Sequence, residues 1–300
     1  MKFTLRSGSK TGYCTETVTM ASTLPSAASK SLQLVTFDIT GTLLQFRRSI
    51  AEQYAVIGAK FGVHAEHSDI STGFKQQWRR QCTEHPNFGA KTGLPWKSWW
   101  VDVAKSTFLH APSLRFEDEE VMKDMKKREA KLETLAQHLI DVYSTSECWH
   151  VTEGAEEVLE KLQKEGLVLG VVSNFDSRLD GLLSVMGLKE FFSFIVTSYE
   201  VGVEKPDVMI FEEALKRAAK VLGNGHPVDP KHACHVGDTP SSDYVGAVLA
   251  GWNAAIIHSC PDKIGKSCKD VDPRHVISSL KELEVYLLSG RQNRATSSNS

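Results

Sequence analysis

The sequence predicts an α/β protein: a doubly wound parallel sheet with an all-helical insertion after its first strand. Three observations carry that expectation. From residue 149 onward, short apolar runs alternate with helical patterns. One earlier run, Leu32-Gln-Leu-Val-Thr-Phe37, has the same β-prone texture. Between them, residues 48–146 hold helical spacing and no convincing strand. Strict alternation of strand and helix implies right-handed crossovers and a sheet covered on both faces. Strands buried on both faces read as continuous apolar runs, as these do.

The first run stops abruptly at Asp38-Ile-Thr-Gly-Thr-Leu43, where a Gly turn can present a side chain. Helical stretches follow over Ile50 to Phe61, Ser71 to Cys82, Trp96 to Leu109 and Glu117 to Tyr143. The last carries Val121, Met125, Leu132, Leu135, Leu139 and Ile140 at helical spacing, opposite a charged face that includes the solvated run Lys123 to Lys131. Pro and Gly make residues 84–95 a loop. After Trp149, Thr152 is expected to cap a helix that ends at Gly166. Strands are expected at Leu167 to Val172, Phe191 to Thr197, Ala233 to Val236 and Ala254 to His258. Helices are expected from Leu179 to Met186, Asp207 to Leu222, Asp243 to Ala250 and Leu280 to Leu288. The chain therefore divides into an α/β core of residues 31–47 plus 149–290, a helical insertion of residues 48–148, and polar tails at 1–30 and 291–300.

Bulk properties narrow the function. A formal charge of −2 over 300 residues argues against nucleic acid or an anionic membrane surface as partner. No apolar run is long enough to span a bilayer. The six cysteines form no C-x-x-C pair and no metal-ligand spacing, which fits free thiols in a reducing compartment, cytoplasmic or nuclear. Residues 1–30 are rich in Ser and Thr with few acids; a disordered tail is the favoured reading and mitochondrial targeting the weaker one.

Ligands of such sheets bind beyond the carboxyl ends of the strands. The polar residues there are Asp38 and Thr40, then Ser173 and Asn174, then Lys205, then Asp238 and Asp243. Singly, each has an ordinary explanation: an Asp before Gly is commonly a turn residue, and Ser-Asn after a strand a cap. Together, in order and each at a strand end, they suit phosphoryl chemistry. Asp38 and Asp238 can hold Mg²⁺ with the carbonyl of Thr40, and Asp243 directly or through water. Lys205 adds a fixed positive charge, Ser173 offers a hydroxyl, and the turn amides near Ile39 and Asn174 offer donors to phosphate oxygens, which makes Ser173, Asn174 and Lys205 the expected phosphate-binding residues. Asp38 is then placed to attack phosphorus and form an aspartyl-phosphate.

Asp38-Ile-Thr-Gly-Thr-Leu43, Val171-Val-Ser-Asn-Phe-Asp176, Glu204-Lys-Pro-Asp207 and His235-Val-Gly-Asp-(x4)-Asp243 resemble the four motifs of the haloacid dehalogenase superfamily. The resemblance runs from Leu32 to His258 and implies a Rossmann-like core with a type-one helical cap. Pro86-Asn-Phe-Gly89, Trp99-Trp100 and Ser173-Asn-Phe-Asp176 mark a subgroup within it. One position departs. Phosphatases of this superfamily usually carry a second Asp two residues after the nucleophile, as general acid and base. Here it is Thr40, whose hydroxyl titrates far too high for that role.

The expectation is Mg²⁺-dependent hydrolysis of a small phosphorylated metabolite through Asp38, slowed by Thr40. The alternative is a weak or inactive member serving as a metal-, phosphate- or partner-binding module. Trp78, Trp96, Trp99 and Trp100 are read as bundle core, Phe88 and Lys91 as loop residues facing the site, and His235 as a satisfied core histidine.

Overall fold

The computed structural model describes residues 31–223, 226–260, 264 and 268–289; the two tails expected at 1–30 and 291–300 lie outside them. Six parallel strands form the central sheet: β1 Leu34–Phe37, β6 Val168–Ser173, β7 Phe194–Thr197, β8 Ala233–Gly237, β9 Asn253–Ile257 and β10 Val276–Ile277. Their order is β10-β9-β8-β1-β6-β7, so β1 is central, paired with β6 on one side and β8 on the other. The chain first builds outward through β6 and β7, then crosses to β8 and builds the other way. That reversal creates the crevice in which such sheets bind ligands, and Asp38 and Asp238 flank it.

Alternate residues of β1 serve two cores. Val35 and Phe37 join a cluster that continues into the helical insertion, while Leu34 faces a second cluster. To the second, α9 Val208–Leu222 contributes Ile210, Phe211, Ala214 and Ala218. Asp207 caps α9 by accepting from the amide of Met209.

The insertion hangs on an antiparallel ribbon of β2 Leu44–Phe46 and β5 Trp149–Val151. It comprises α1 Ile50–Lys60, α2 His67–Glu84, α3 Trp96–Leu109, α4 Glu119–Lys123 and α5 Met125–Val142. Ser49 and Glu52 form a reciprocal capping box at the start of α1.

Local chemistry moves several expected boundaries. The single helix expected over Glu117 to Tyr143 is two, because Asp118 and Asp124 each cap a new start by accepting backbone amides. The insertion is not free of strands: β3 Val63–His64 pairs with β4 Arg115–Phe116. Two residues are too few to show alternation in sequence. Thr152 does not cap α6 Ala155–Lys164; Gly154, at φ 82°, turns the chain first and takes the N-cap position. Residues Pro240–Tyr244 form a π-helical turn, which delays α10 to Val245–Leu249. The short helices α7 Leu179–Val185 and α8 Ser198–Val201 connect β6 and β7 to the loop ahead of α9. The last helix, α11, spans the expected Leu280–Leu288.

Candidate active site

Asp38 follows β1 directly, and its amide continues the ladder by donating to Val236. Gly41 then reverses the chain at φ 87°; a Cβ there would also meet the carboxylate of Asp238 at 2.5 Å, so the turn accepts only glycine. On the facing strand, a Cβ at Gly237 would collide with the carboxylate of Asp243. Gly41 lets the acidic loops after β1 and β8 approach each other, and Gly237 lets Asp243 fold back onto its own strand.

Carboxylate oxygens of Asp38, Asp238 and Asp243 lie within 4.8 Å of one another. Lys205 reaches into this group from the loop before α9. Its ammonium donates to Oδ1 of Asp38 at 2.9 Å and to the carbonyl of Val172 at 2.7 Å, and pairs with Oδ1 of Asp243 at 2.7 Å. Three partners use all three of its protons. Burial alone would lower the Lys205 pKa, but Asp243 and Asp38 outweigh it and hold the ammonium above its ordinary value. Burial would raise Asp243, yet the Lys205 charge and a hydrogen bond from His235 keep its carboxyl well below the usual carboxylate range.

Ser173 ends β6 and donates its hydroxyl to Oδ1 of Asp38 at 2.8 Å. Among the described residues, both side-chain bonds to Asp38 fall on Oδ1. Asp243 is occupied differently, since its Oδ2 accepts the amides of Asp238 at 3.1 Å and Thr239 at 2.8 Å. The π-helical turn folds that carboxylate back over its own loop. Thr239 donates its hydroxyl to Oδ1 of Asp238 at 3.1 Å.

The expected site residues Asp38, Thr40, Ser173, Asn174, Lys205, Asp238 and Asp243 all line one cleft. The side chain of Asn174 is committed to the Lys205 backbone, which leaves the turn amide as the donor expected there. Its Nδ2 donates to the carbonyl of Lys205 at 3.0 Å, and its Oδ1 accepts the amide of the same residue at 2.7 Å. Its side chain therefore positions Lys205.

His235 is fully buried, as a core histidine should be, but it also braces the site. Its Nδ1 lies 2.8 Å from Thr36 Oγ1, and its Nε2 lies 3.4 Å from Oδ1 of Asp243. Nε2 also lies 3.5 Å from the Lys205 ammonium, so that nitrogen faces both members of the buried ion pair. Burial first, and the Lys205 charge second, push the His235 pKa down and keep the ring neutral. The signal in the sequence was a polar ring inside an apolar strand.

Asp176 and Arg178 were not singled out as a pair in the sequence. Arg178 grips Asp176 through Nε at 2.8 Å and a terminal nitrogen at 2.7 Å, and stacks over Trp96 at 4.9 Å. Trp100 of the insertion donates its indole N–H to the same carboxylate at 2.8 Å. Trp99 is wholly buried, as expected of bundle core, whereas Trp78, Phe88 and Trp100 line a cavity beside the site. Lys91 is exposed and lines neither cavity.

Residues 32–251 match the family described as haloacid dehalogenase-like hydrolase. The chain belongs to the haloacid dehalogenase-like hydrolases. The hydrolase is 36% identical over 266 residues to the rhythmically expressed gene 2 protein of Drosophila melanogaster, covering 86% of this chain and 96% of that protein. It is also 36% identical over 253 residues to the mouse haloacid dehalogenase-like hydrolase domain-containing protein 3, covering 84% of this chain and 92% of the other. Pro86-Asn-Phe-Gly89 and the Trp99-Trp100 pair are the residues from which that closer likeness was expected. The fold of the hydrolase is shared with a 2-haloacid dehalogenase from Pseudomonas syringae, at TM-score 0.57 and 24% identity over 86% of this chain and 99% of that one. It is shared with a magnesium-bound Bacillus subtilis protein at TM-score 0.59 and 18% identity, over the same shares. Among the described residues of the hydrolase, no helix is long and apolar enough to cross a membrane.

Proposed function

We propose that this hydrolase transfers the phosphoryl group of a small phosphomonoester to Asp38 with the help of Mg²⁺, and then hydrolyses the adduct slowly. The convergence of Asp38, Asp238 and Asp243 within 4.8 Å carries this reading. Three carboxylates so close together repel one another unless cations lie among them, and Lys205 supplies only one. The donors are hard oxygens, which suit Mg²⁺. Asp38, Asp238 and the carbonyl of Thr40 would hold the ion, with Asp243 acting from behind through the partners it already has. When bound, the ion would neutralise charge on the phosphoryl oxygens. A carbon–halogen bond presents no such charge, so the acidic cluster favours phosphoryl transfer over dehalogenation.

The chain's own residues supply the rest. Ser173 and Lys205 hold Oδ1 of Asp38, which orients the carboxylate and leaves Oδ2 to meet phosphorus. As the group arrives, each donor could exchange its bond to Oδ1 for one to a phosphoryl oxygen. Thr40 can hydrogen-bond the leaving oxygen but cannot protonate it. That residue supports a second reading, a weak or inactive member that binds metal and phosphate without turnover.

Acetyl phosphate and Mg²⁺ separate the two. Phosphoryl transfer leaves an acid-stable, hydroxylamine-labile adduct on the wild-type chain that requires Mg²⁺ and is absent from Asp38→Asn. No adduct from any phosphoryl donor tested, in a folded protein, rejects the catalytic reading.

A further inference from the structure

A second chamber of about 230 Å³ adjoins the Asp38 cleft. Helical spacing builds it. Ile50 and Tyr54 of α1 and Phe74 and Trp78 of α2 are pairs four residues apart, so each pair shares one helix face. Trp100 and Ala104 of α3, and Leu139 of α5 with its C-cap residue Tyr143, repeat the spacing. Phe46, Trp149 and Phe175 close the core side. The walls are thus almost entirely aromatic and aliphatic. Of their polar side chains, Asp176 and Arg178 are bound to each other and Asn174 to the Lys205 backbone, and Thr40 lies at the edge shared with the cleft.

Two details point to an occupant. Phe88 stands at φ 55°, next to Asn87 at φ 55°, a left-handed conformation rare for a bulky side chain. The pair is pinned to the core by Asn87 Nδ2, which donates to the carbonyl of Ser198 at 2.7 Å. The strained backbone sets the Phe88 ring in the chamber wall, stacked on Trp100 at 6.0 Å and 24°. The second detail is Tyr143, which lines the chamber while its hydroxyl is closed off and has no hydrogen-bond partner among the described residues, so that side of the wall offers a ligand no polar contact from it.

The chamber and the cleft share Thr40, Phe46, Trp78 and Asn174. Thr40 stands two residues from Asp38, so a phosphate held at Asp38 places its ester oxygen by Thr40 and whatever that oxygen carries at the chamber mouth. We propose that the chamber takes the apolar, ring-bearing group of the phosphomonoester; this rests on the phosphoryl-transfer reading above. An apolar cavity of about 150 Å³ accepts benzene, so one substituted ring or two fused rings suit this one. Polyol phosphates are poor occupants, because their hydroxyls would be desolvated against walls with almost no partners.

Calorimetry in Mg²⁺ with benzylphosphonate and methylphosphonate tests the assignment without requiring turnover. The expected result is benzylphosphonate binding at least about tenfold tighter. In Ala104→Leu, which fills the chamber, the ratio should fall to about one. If Ala104→Leu does not fold, Ile140→Phe fills the same space from α5 and should act alike. Equal dissociation constants in the wild type overturn the proposal and leave the phosphoryl reading standing. If neither phosphonate binds, the phosphoryl reading fails, and saturation-transfer NMR with benzyl alcohol decides the chamber. A signal lost in the filled variant supports an apolar ring site, and no signal in the wild type overturns it.

Discussion

Lys205 and Asp243 form a buried ion pair at 2.7 Å, and the same ammonium binds the proposed nucleophile Asp38 at 2.9 Å. The loop before α9 therefore controls the acidic ends of β1 and β8 together. Removing the cation leaves buried carboxylates with no compensating charge, which is the costly way to break such a pair. Lys205→Met should lose about 3–5 kcal/mol of folding stability as well as any Asp38 adduct. Urea unfolding measures the first and acetyl phosphate labelling the second. A variant as stable as the wild type would show that the pair contributes little beyond its own desolvation.

Thr40 lines the cleft, and in the proposed phosphoryl transfer the leaving oxygen would need a proton there. If a missing acid is what limits turnover, Thr40→Asp should raise hydrolysis of a generic aryl phosphate by about a hundredfold. The adduct on Asp38 should become harder to trap, because the same carboxylate would then activate water. A folded Thr40→Asp chain with unchanged rate, still taking up acetyl phosphate, would place the slow step elsewhere.

The sheet, the insertion and the residues at the strand ends were legible because each rests on local pattern. Leu34–Phe37 is fully buried and mostly apolar, Ser173 ends a strand, Asp38 and Asp238 each follow one directly, and Lys205 lies in the loop beyond β7. What was not legible depends on long-range contact. The side chain of Asn174 holds the Lys205 backbone, 31 residues away, a contact that no local pattern announces. His235 reads as core in sequence; only the fold brings it against Asp243 and Thr36. The aromatics of the insertion read as bundle core for Trp99, but helical spacing cannot tell a filled core from a chamber wall, which is where Trp78 and Trp100 stand. The break at Asp124 was missed because the apolar spacing continues across it.

The titratable groups behind the site make stability depend on pH in a fixed direction. His235 is held below its ordinary 6.5, so the unfolded chain takes up its proton first. Its contribution is complete above that value and is lost as pH falls below it, by up to about 1.4 kcal/mol per pH unit. His275, also pushed down by burial, adds in the same sense. Asp243, held low by Lys205, adds a second loss only below its unfolded value of 3.8. Lys205, held high, contributes fully below 10.5 and loses that contribution as pH rises through its folded value. Chemical unfolding at pH 7.5 and 5.5 should show the histidine-linked fall, and His235→Gln should shallow it. An equal fall in both proteins would assign it to His275 or to the surface.

Trp100 ties the insertion to the core through one indole N–H, donated to a carboxylate that is otherwise buried against Arg178. Trp100→Phe keeps an aromatic ring in the wall and removes only that donor. A hydrogen bond to a charged group is worth about 1.5–3 kcal/mol, and Asp176 keeps Arg178 as a partner, so the loss should fall toward the lower figure. The loss should not be spread evenly. Amides of α2 and α3 should exchange faster as the insertion separates more often, while those of β1, β6 and β8 keep their protection. Arg178→Met removes the stacking over Trp96 and Trp100 and uncovers the charge of Asp176, so it should speed the same amides further. If Trp100→Phe instead accelerates exchange uniformly across both parts, the indole contributes to global stability and does not act as a latch between insertion and core.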